Sequence, residues 1–377
     1  MKFITNSIDF SAALQTAMLA VPARSTMPAL ECVLIETQGE NAISLTGSDG
    51  NMRISCALPC TVLEEGSALL RGKTFEEIAR KFPHGEITAQ SDSHNVVTIK
   101  SGRVKARLSG IDPAEYPAHD ATEPVATLPI PANQFCALIS SVEACIATDE
   151  ARPVLCGGCL DAADGTLTMV GLDGFRLGLR SISDQAYEAN PSTRIIVPAR
   201  SLGVLKRLIS RIGSECVTLR ISSNELSIAH DMTEFSCRLI EGEYINYRSI
   251  IPKSFNTTVQ VNAANMRAAV ERLIAIAEQN GKNGRLMNLT ISSDGGFSLH
   301  GQSDAGDILE TLDALVTGND LSINFNSLYF LDALKLFDRG DLLISFGSSV
   351  SPCIIRYAPG TDAEADELLW LILPVRR

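Results

Sequence analysis

Aromatic residues are scarce in this chain, 5% of 377 positions with a single tryptophan, Trp370. Unbroken apolar runs are short too, and none approaches the roughly eighteen residues that a membrane-crossing helix needs. The N-terminal stretch from Ile8 to Pro22 is interrupted by Asp9, Ser11, Gln15 and Thr16, so it reads as an amphipathic helix rather than a secretory leader. Positive charge is in deficit, with 32 Lys and Arg against 44 Asp and Glu for a net charge of −12. Bulk attraction to a polyanion is therefore excluded, because non-specific affinity comes from cations that neutralise phosphates. Any nucleic-acid role must rest on a local basic surface or on topology.

Chemistry-bearing motifs are missing as well. There is no phosphate-cradling P-loop, no dinucleotide fingerprint and no nucleophile elbow. The histidines (His84, His94, His119, His230, His300) stand singly, none at ligand spacing from another His or a Cys, so neither metal nor cofactor is expected. Ten cysteines are scattered mostly among apolar neighbours, the pattern of reduced thiols in a cytoplasmic protein. Cys156-Gly-Gly-Cys159 is the sharpest local motif. It follows Val154-Leu155 and precedes a turn, which suggests a strand and two small buried residues. It lacks the helix N-terminus that would lower a thiol pKa and the second ligand pair that would hold zinc.

Repetition is what the chain does have. Arg24-Ser-Thr-Met-Pro leads to Ile43-Ser-Leu-Thr-Gly-Ser-Asp49-Gly50, and Arg152-Pro-Val-Leu leads to Leu167-Thr-Met-Val-Gly-Leu-Asp173-Gly174. A fainter copy runs from Arg285-Leu-Met-Asn-Leu to Phe297-Ser-Leu-His-Gly-Gln-Ser-Asp304. The arginines lie 128 and 133 residues apart, about a third of the chain. The recurring Asp-Gly reads as a turn device, since turns favour those residues, and not as an acid–base or metal site.

Each third has the same predicted order: a helix (Ile8 to Leu19, Asn133 to Ile146, Ala263 to Ala277), Gly-linked strands, a second helix (Thr74 to Phe82, Pro198 to Ile212, Asn326 to Phe337) and closing strands. Phe135, Ile139, Val142 and Ile146 keep the spacing of one buried helical face. Thr74-x-x-Glu77 reads as a capping box, Pro198 as a first-turn residue and Asn326 as a cap. Closing strands are expected at Val96 to Ile99, Val104 to Leu108, Cys216 to Ile221 and Leu342 to Phe346. Asp112-Pro-Ala-Glu-Tyr-Pro117 and Glu241-Gly-Glu-Tyr-Ile-Asn-Tyr close the first two thirds alike, with linkers at Ala118 to Pro129 and Ile251 to Asn256. The fold class is α+β: three tandem similar domains, residues 1–120, 129–250 and 253–377, each with two helices packed on β-sheets. Such an arrangement favours scaffolding or encirclement over a catalytic cleft.

Basic residues recur on the second helices. Leu202, Leu205, Leu208, Ile209 and Ile212 form an apolar stripe, with Arg200, Lys206, Arg207 and Arg211 away from it. Lys73 and Arg80 lie seven apart on the first domain's helix, and Lys335 and Arg339 four apart on the third's. One such face would be an ordinary solvated surface. Its recurrence points to a polyanion held without sequence readout.

With Leu172-Asp-Gly-Phe-Arg-Leu177, Ile196-Val-Pro198, Leu239-Ile-Glu-Gly-Glu-Tyr, Asn326-Ser-Leu-Tyr-Phe-Leu-Asp-Ala-Leu334 and the terminal Leu373-Pro-Val-Arg376, the whole chain resembles, in order, the bacterial DNA polymerase III β subunit, the sliding-clamp family. The resemblance implies a non-catalytic, head-to-tail homodimeric ring with helices lining the hole. It would encircle duplex DNA, be opened by a clamp loader, and tether the polymerase III catalytic subunit and other clamp-motif proteins. Arg24 and Arg152 match positions near the DNA path. The positions matching the partner-peptide pocket are Leu155, Leu172, Gly174, Phe175, Arg176, Leu177, Ile245, Ile250, Leu371, Leu373, Pro374, Val375 and Arg376. Leu172 and Phe175 stand where a small polar residue and a histidine are usual, and Ile245 where proline is common. The helices Ile8 to Leu19 and Asn133 to Ile146 contain no Lys or Arg. Ala106 and Leu108 on one chain and Leu273 and Ile276 on the other are the expected dimer contacts. Two alternatives are a monomeric multi-domain peptide-binding adaptor and an enzyme at a domain junction using Asp173 or the Cys156/Cys159 pair.

Overall fold

The computed structural model describes residues 1–119, 122–184, 187, 192–276, 285–304, 306–360 and 367–376. Among these residues six α-helices occur: α1 (Ser7–Ala17), α2 (Gly72–Ala79), α3 (Ala132–Val142), α4 (Ala199–Ile212), α5 (Ala263–Ile276) and α6 (Ser327–Leu334). Each is entered directly from a strand, as when Lys2–Asn6 runs into α1 and Leu321–Asn326 into α6. Asparagine at that junction caps the helix. Asn6 accepts from the Ile8 N–H at 2.8 Å, Asn262 from Asn265 at 3.2 Å and Asn326 from Leu328 at 3.0 Å.

This junction corrects two expected helix starts. α2 begins at Gly72 after the strand Ser67–Arg71, with Arg71 at the cap and no side-chain capping bond, so Thr74 and Glu77 lie inside the helix and form no box. A Cβ on Gly72 would come within 2.6 Å of the Met18 sulfur, so glycine here lets the end of α1 approach. Pro198 closes the strand Thr193–Pro198, paired with Gly157, and precedes the first turn of α4. The first linker is also shorter than expected, because Ala126–Pro131 is a strand. Asp120 and Ala121 in that linker, Ala277 in the fifth predicted helix and Arg377 lie outside the described residues.

The repeat has a physical basis. Gly47 and Gly171 each sit one residue before the end of a strand, Ala42–Ser48 and Thr166–Leu172, where a Cβ would lie 2.2 Å from the Ala17 carbonyl oxygen and 2.8 Å from that of Val142. At Gly301 it would strike the Leu273 side chain at 2.7 Å. Each glycine thus lets the first helix of its third lie against the sheet. Next to these glycines, buried tyrosines close the first two copies alike: the Tyr116 hydroxyl donates to the Thr46 carbonyl and that of Tyr244 to the Val170 carbonyl, both at 3.4 Å. The Asp-Gly pairs are turns. Asp49 accepts from Asn51 and Met52, Asp173 from Phe175 and Arg176, and Gly50 and Gly174 both have φ of 90°.

The chain divides into two compact units, residues 1–133 with 200–239 and residues 134–199 with 240–377. Neither is a single repeat, because the middle third contributes to both. In the first unit an eight-stranded sheet pairs Thr233–Arg238 with Met52–Pro59, from Thr233↔Cys56 to Cys237↔Met52. In the second, a nine-stranded sheet pairs Arg176–Ser183 with Glu367–Ile372, from Arg176↔Ile372 to Ser181↔Glu367. Each unit also carries a smaller sheet, of five and four strands respectively. Phe10 of α1 meets Phe75 of α2 edge-on at 5.6 Å in the first core, and Phe325 meets Phe330 of α6 at 5.0 Å in the second.

Candidate functional site

In the second unit, a turn, a helix and the chain's end converge. The strand Glu367–Ile372 continues into a tail held by backbone bonds, Leu373 N–H to the Phe175 carbonyl and Val375 N–H to that of Asn324, both 2.8 Å. Phe175, 60% exposed, stands on the Asp173-Gly174 turn. Together with Asn326, Tyr329, Leu373, Pro374, Val375 and Arg376 it lines a cavity of about 170 Å³. Arg176 fixes this corner. Its Nε donates to Asp173 at 3.0 Å and its Nη1 to Asp332 at 2.7 Å, while its guanidinium lies 4.3 Å from the Tyr329 ring centroid. Burial lowers the Arg176 pKa, but the two carboxylates outweigh it and the net shift is upward. Tyr329 and Asn326 are lining residues that sequence reasoning missed. Two signals were present: the Asn326 cap, which places Tyr329 in the first turn of α6, and the Asn326-to-Leu334 motif of the family resemblance, which contains both residues.

The remaining pocket positions do not gather around this cavity. Leu155, Leu172, Leu177 and Leu371 are buried in a cluster with Val170, Leu179, Tyr244 and Tyr247, so they support the surface from beneath. Ile245 and Ile250 are exposed on the segment between Ile240 and Ile251. The site therefore has two parts: an open cavity beside the tail, and an apolar bed with two exposed isoleucines on its flanking segment.

The basic positions are exposed in part and paired in part. Arg200, Arg207 and Arg211 are exposed on α4 and Lys206 is half-buried, while Leu202, Leu205, Leu208 and Ile209 are buried opposite. Arg200 pairs with Asp49 at 2.7 Å, and Arg211 reaches α1, donating to Gln15 Oε1 at 2.8 Å. Arg24 and Arg152 are exposed in loops, and Lys73 and Arg80 are exposed on and just after α2. The third helix differs from expectation. α6 ends at Leu334, so Lys335 is its cap, held by Asp332 at 2.9 Å, and Arg339 lies beyond the helix.

Among the expected dimer contacts, Leu273 is 1% exposed and packs in the core beneath Gly301, so it offers no surface. Ala106, Leu108 and Ile276 are half-buried. The open features nearby are sheet edges. Val104–Ser109 ends the five-stranded sheet, and Gly306–Thr311, with Leu309 67% exposed, ends the four-stranded one.

The Cys156/Cys159 pair is corrected in part. Cys159 is buried in the strand Gly157–Ala163, and burial, with Asp161 adding, pushes its thiol up to about 12. Cys156 lies just before the strand, half-exposed, its Sγ donating to the Asp149 carbonyl at 3.4 Å. Its pKa is also raised, by burial and then by Glu150 and Asp149, the reverse of an activated thiol. Among the described residues no group of three His, Cys, Asp or Glu is placed to hold a metal, and no helix is long and apolar enough to cross a membrane.

Three models of one family match in order. The N-terminal, central and C-terminal domains of the DNA polymerase III beta subunit match residues 1–120, 129–246 and 248–375. The chain belongs to this family. It is 27% identical to the beta sliding clamp of Bacillus subtilis over 388 residues, covering all of both chains, and 29% identical over 368 residues to that of Halalkalibacterium halodurans, covering 95% and 94%. The solved sliding clamp of Bacillus subtilis superposes with a TM-score of 0.93 at 27% identity over 100% of this chain and 99% of that one. The DNA polymerase III beta chain of Streptococcus pneumoniae superposes at 0.92 and 28% over the full length of both. The fold is thus three tandem clamp domains, and the chain is a sliding-clamp subunit, a processivity factor rather than a catalyst. Neither the adaptor nor the junction-enzyme alternative is favoured.

Proposed function

We propose that two copies of this chain close head to tail into a ring around duplex DNA, placed there by a clamp loader, in the cytoplasm. The domains are residues 1–120, 129–250 and 253–377. The observation that supports the ring is that two of the edge strands, Val104–Ser109 and Gly306–Thr311, one in the first domain and one in the third, carry exposed Val104 and Leu309. An unpaired edge bearing exposed apolar residues is a hazard unless another strand covers it, and edge-to-edge pairing between copies covers both. Ala106, Leu108, Ile276 and Leu309 are the apolar contacts of that seam. Light scattering should give twice the 40.5 kDa of one chain at micromolar concentration. A strictly monomeric mass would count heavily against the ring.

DNA contact is assigned to Arg24, Lys73, Arg80, Arg152, Arg200, Lys206, Arg207 and Arg211. Reversing Arg207 and Arg211 together to Glu should impair loading or sliding more than it lowers the melting temperature, because Arg207 is an exposed position of the kind that usually costs within about 0.5 kcal/mol, and Arg211 gives up only its solvent-side bonds to Gln15. Equal loss of folding and loading would assign the two arginines to structure. The cavity beside the tail and the adjoining apolar bed form the docking site for short apolar motifs of the polymerase catalytic subunit and other clamp-motif proteins. An apolar surface with a few fixed polar groups suits an anchored peptide.

A further inference from the structure

The segment from Ile240 to Ile251 carries both exposed isoleucines of the proposed peptide site, and its only regular element is the short 3-10 turn Tyr247–Ser249. Side chains hold much of it in place. The Tyr244 hydroxyl reaches the Val170 carbonyl, and the Tyr247 hydroxyl donates to Asp161 Oδ2 at 2.8 Å. Arg248 Nη1 donates to the same oxygen at 3.0 Å, and its guanidinium lies 4.8 Å from the Tyr247 ring centroid. Asp161 is 5% exposed on the strand Gly157–Ala163. From the neighbouring strand, Arg194 Nη2 donates to that oxygen too, at 2.9 Å. One buried carboxylate oxygen therefore takes three donors, two of them from the segment. Burial would raise the Asp161 pKa, but the bonds from Arg194 and Tyr247 outweigh it and keep the group ionised.

We propose that Asp161 is the positioning residue of the peptide site, fastening the 240–251 segment so that Ile245 and Ile250 form a wall before any peptide arrives. This rests on the docking site proposed above. The reasoning is one of population. A segment with few backbone bonds samples many conformations once its fastening is gone, and the apparent affinity then falls in proportion to the fraction still in the binding conformation. The buried leucines beneath would keep their packing, so the bed would survive while its wall loosened.

The test uses the full-length chain and a fluorescein-labelled peptide copying the C-terminal tail of the replicative polymerase. Asp161→Asn keeps the shape of the side chain and its one amide oxygen can still face the three donors, but it removes the negative charge that strengthens the bonds from Arg194 and Arg248. It should weaken binding about tenfold, corresponding to a competent fraction near a tenth, and should speed hydrogen exchange in the 240–251 segment while the solution mass stays unchanged. Arg194→Ala, which cuts the same carboxylate's bond to the sheet but not to the segment, should weaken binding much less. Should Asp161→Asn not fold, the double variant Tyr247→Phe with Arg248→Gln takes the hydroxyl and the guanidinium of the segment away from the carboxylate and should show at least the same loss. If the parent chain fails to bind the peptide, the docking site is wrong and the proposal goes with it. If the parent binds, deletion of the tail weakens binding, and whichever of these two variants folds binds as tightly as the parent, the proposal alone is overturned.

Discussion

Placed on nicked circular DNA by its loader, the protein should stay bound in high salt and be lost once the DNA is cut to a line with free ends. A ring is linked to a circle by topology, and salt does not weaken that link. Direct electrostatic binding would behave otherwise, because each neutralised phosphate releases a counterion and affinity falls steeply with salt on circle and line alike. The composition makes the contrast sharp. At net −12 the chain has no bulk attraction for DNA, and two arginines of its basic face are already engaged, Arg200 with Asp49 and Arg211 with Gln15. Gel filtration of the loaded DNA before and after cutting, at rising salt, gives the answer. Equal retention on both forms would sink encirclement.

Deleting the tail from Leu373 onward should weaken peptide binding severalfold or more and leave the dimer and its hold on DNA intact. The last paired residue of the nine-stranded sheet is Ile372, bonded across to Arg176 and Cys353, so the ladder survives the cut. What disappears is one wall of the cavity, Leu373, Pro374 and Val375, together with two backbone bonds. An anchor side chain left half in water loses about half of its burial energy, about 0.8–1.5 kcal/mol, roughly a four- to twelvefold weakening. Titrating the labelled polymerase-tail peptide into the truncated chain measures this, and light scattering checks the dimer. Undiminished affinity would make these residues ordinary surface. A truncated chain that no longer dimerises would instead assign the tail to the architecture.

The sequence made periodic and repeated features legible. The buried face of α3 could be read from Phe135, Ile139 and Val142, all of which are fully buried, though Ile146, expected on the same face, lies past the helix end at Val142; the duplicated Asp-Gly turns could be read from their two copies. Features that depend on distant residues were not legible. The Thr74–Glu77 pattern looked like a helix start, but the strand before α2 runs straight into it, and local pattern carries no information about that junction. Leu273 looked like a surface residue until the third domain's mid-strand glycine, Gly301, was seen to receive it. Tyr329 lies 154 positions from Phe175, and it is contacts distant in sequence, Arg176 bridging Asp173 and Asp332 and the Phe175 ring beside that of Tyr329, that bring α6 to the turn.

The strand pairing between thirds also constrains how the chain is made. Cys56 meets Thr233, 177 residues further on. At the usual 5–20 residues per second a ribosome takes about 10 to 35 seconds to supply that partner. For that interval the strand Met52–Pro59 of a growing chain has one side without its native neighbour, an invitation to aggregate that a self-contained N-terminal domain would not extend. Slow codons between the two strands would lengthen this exposure.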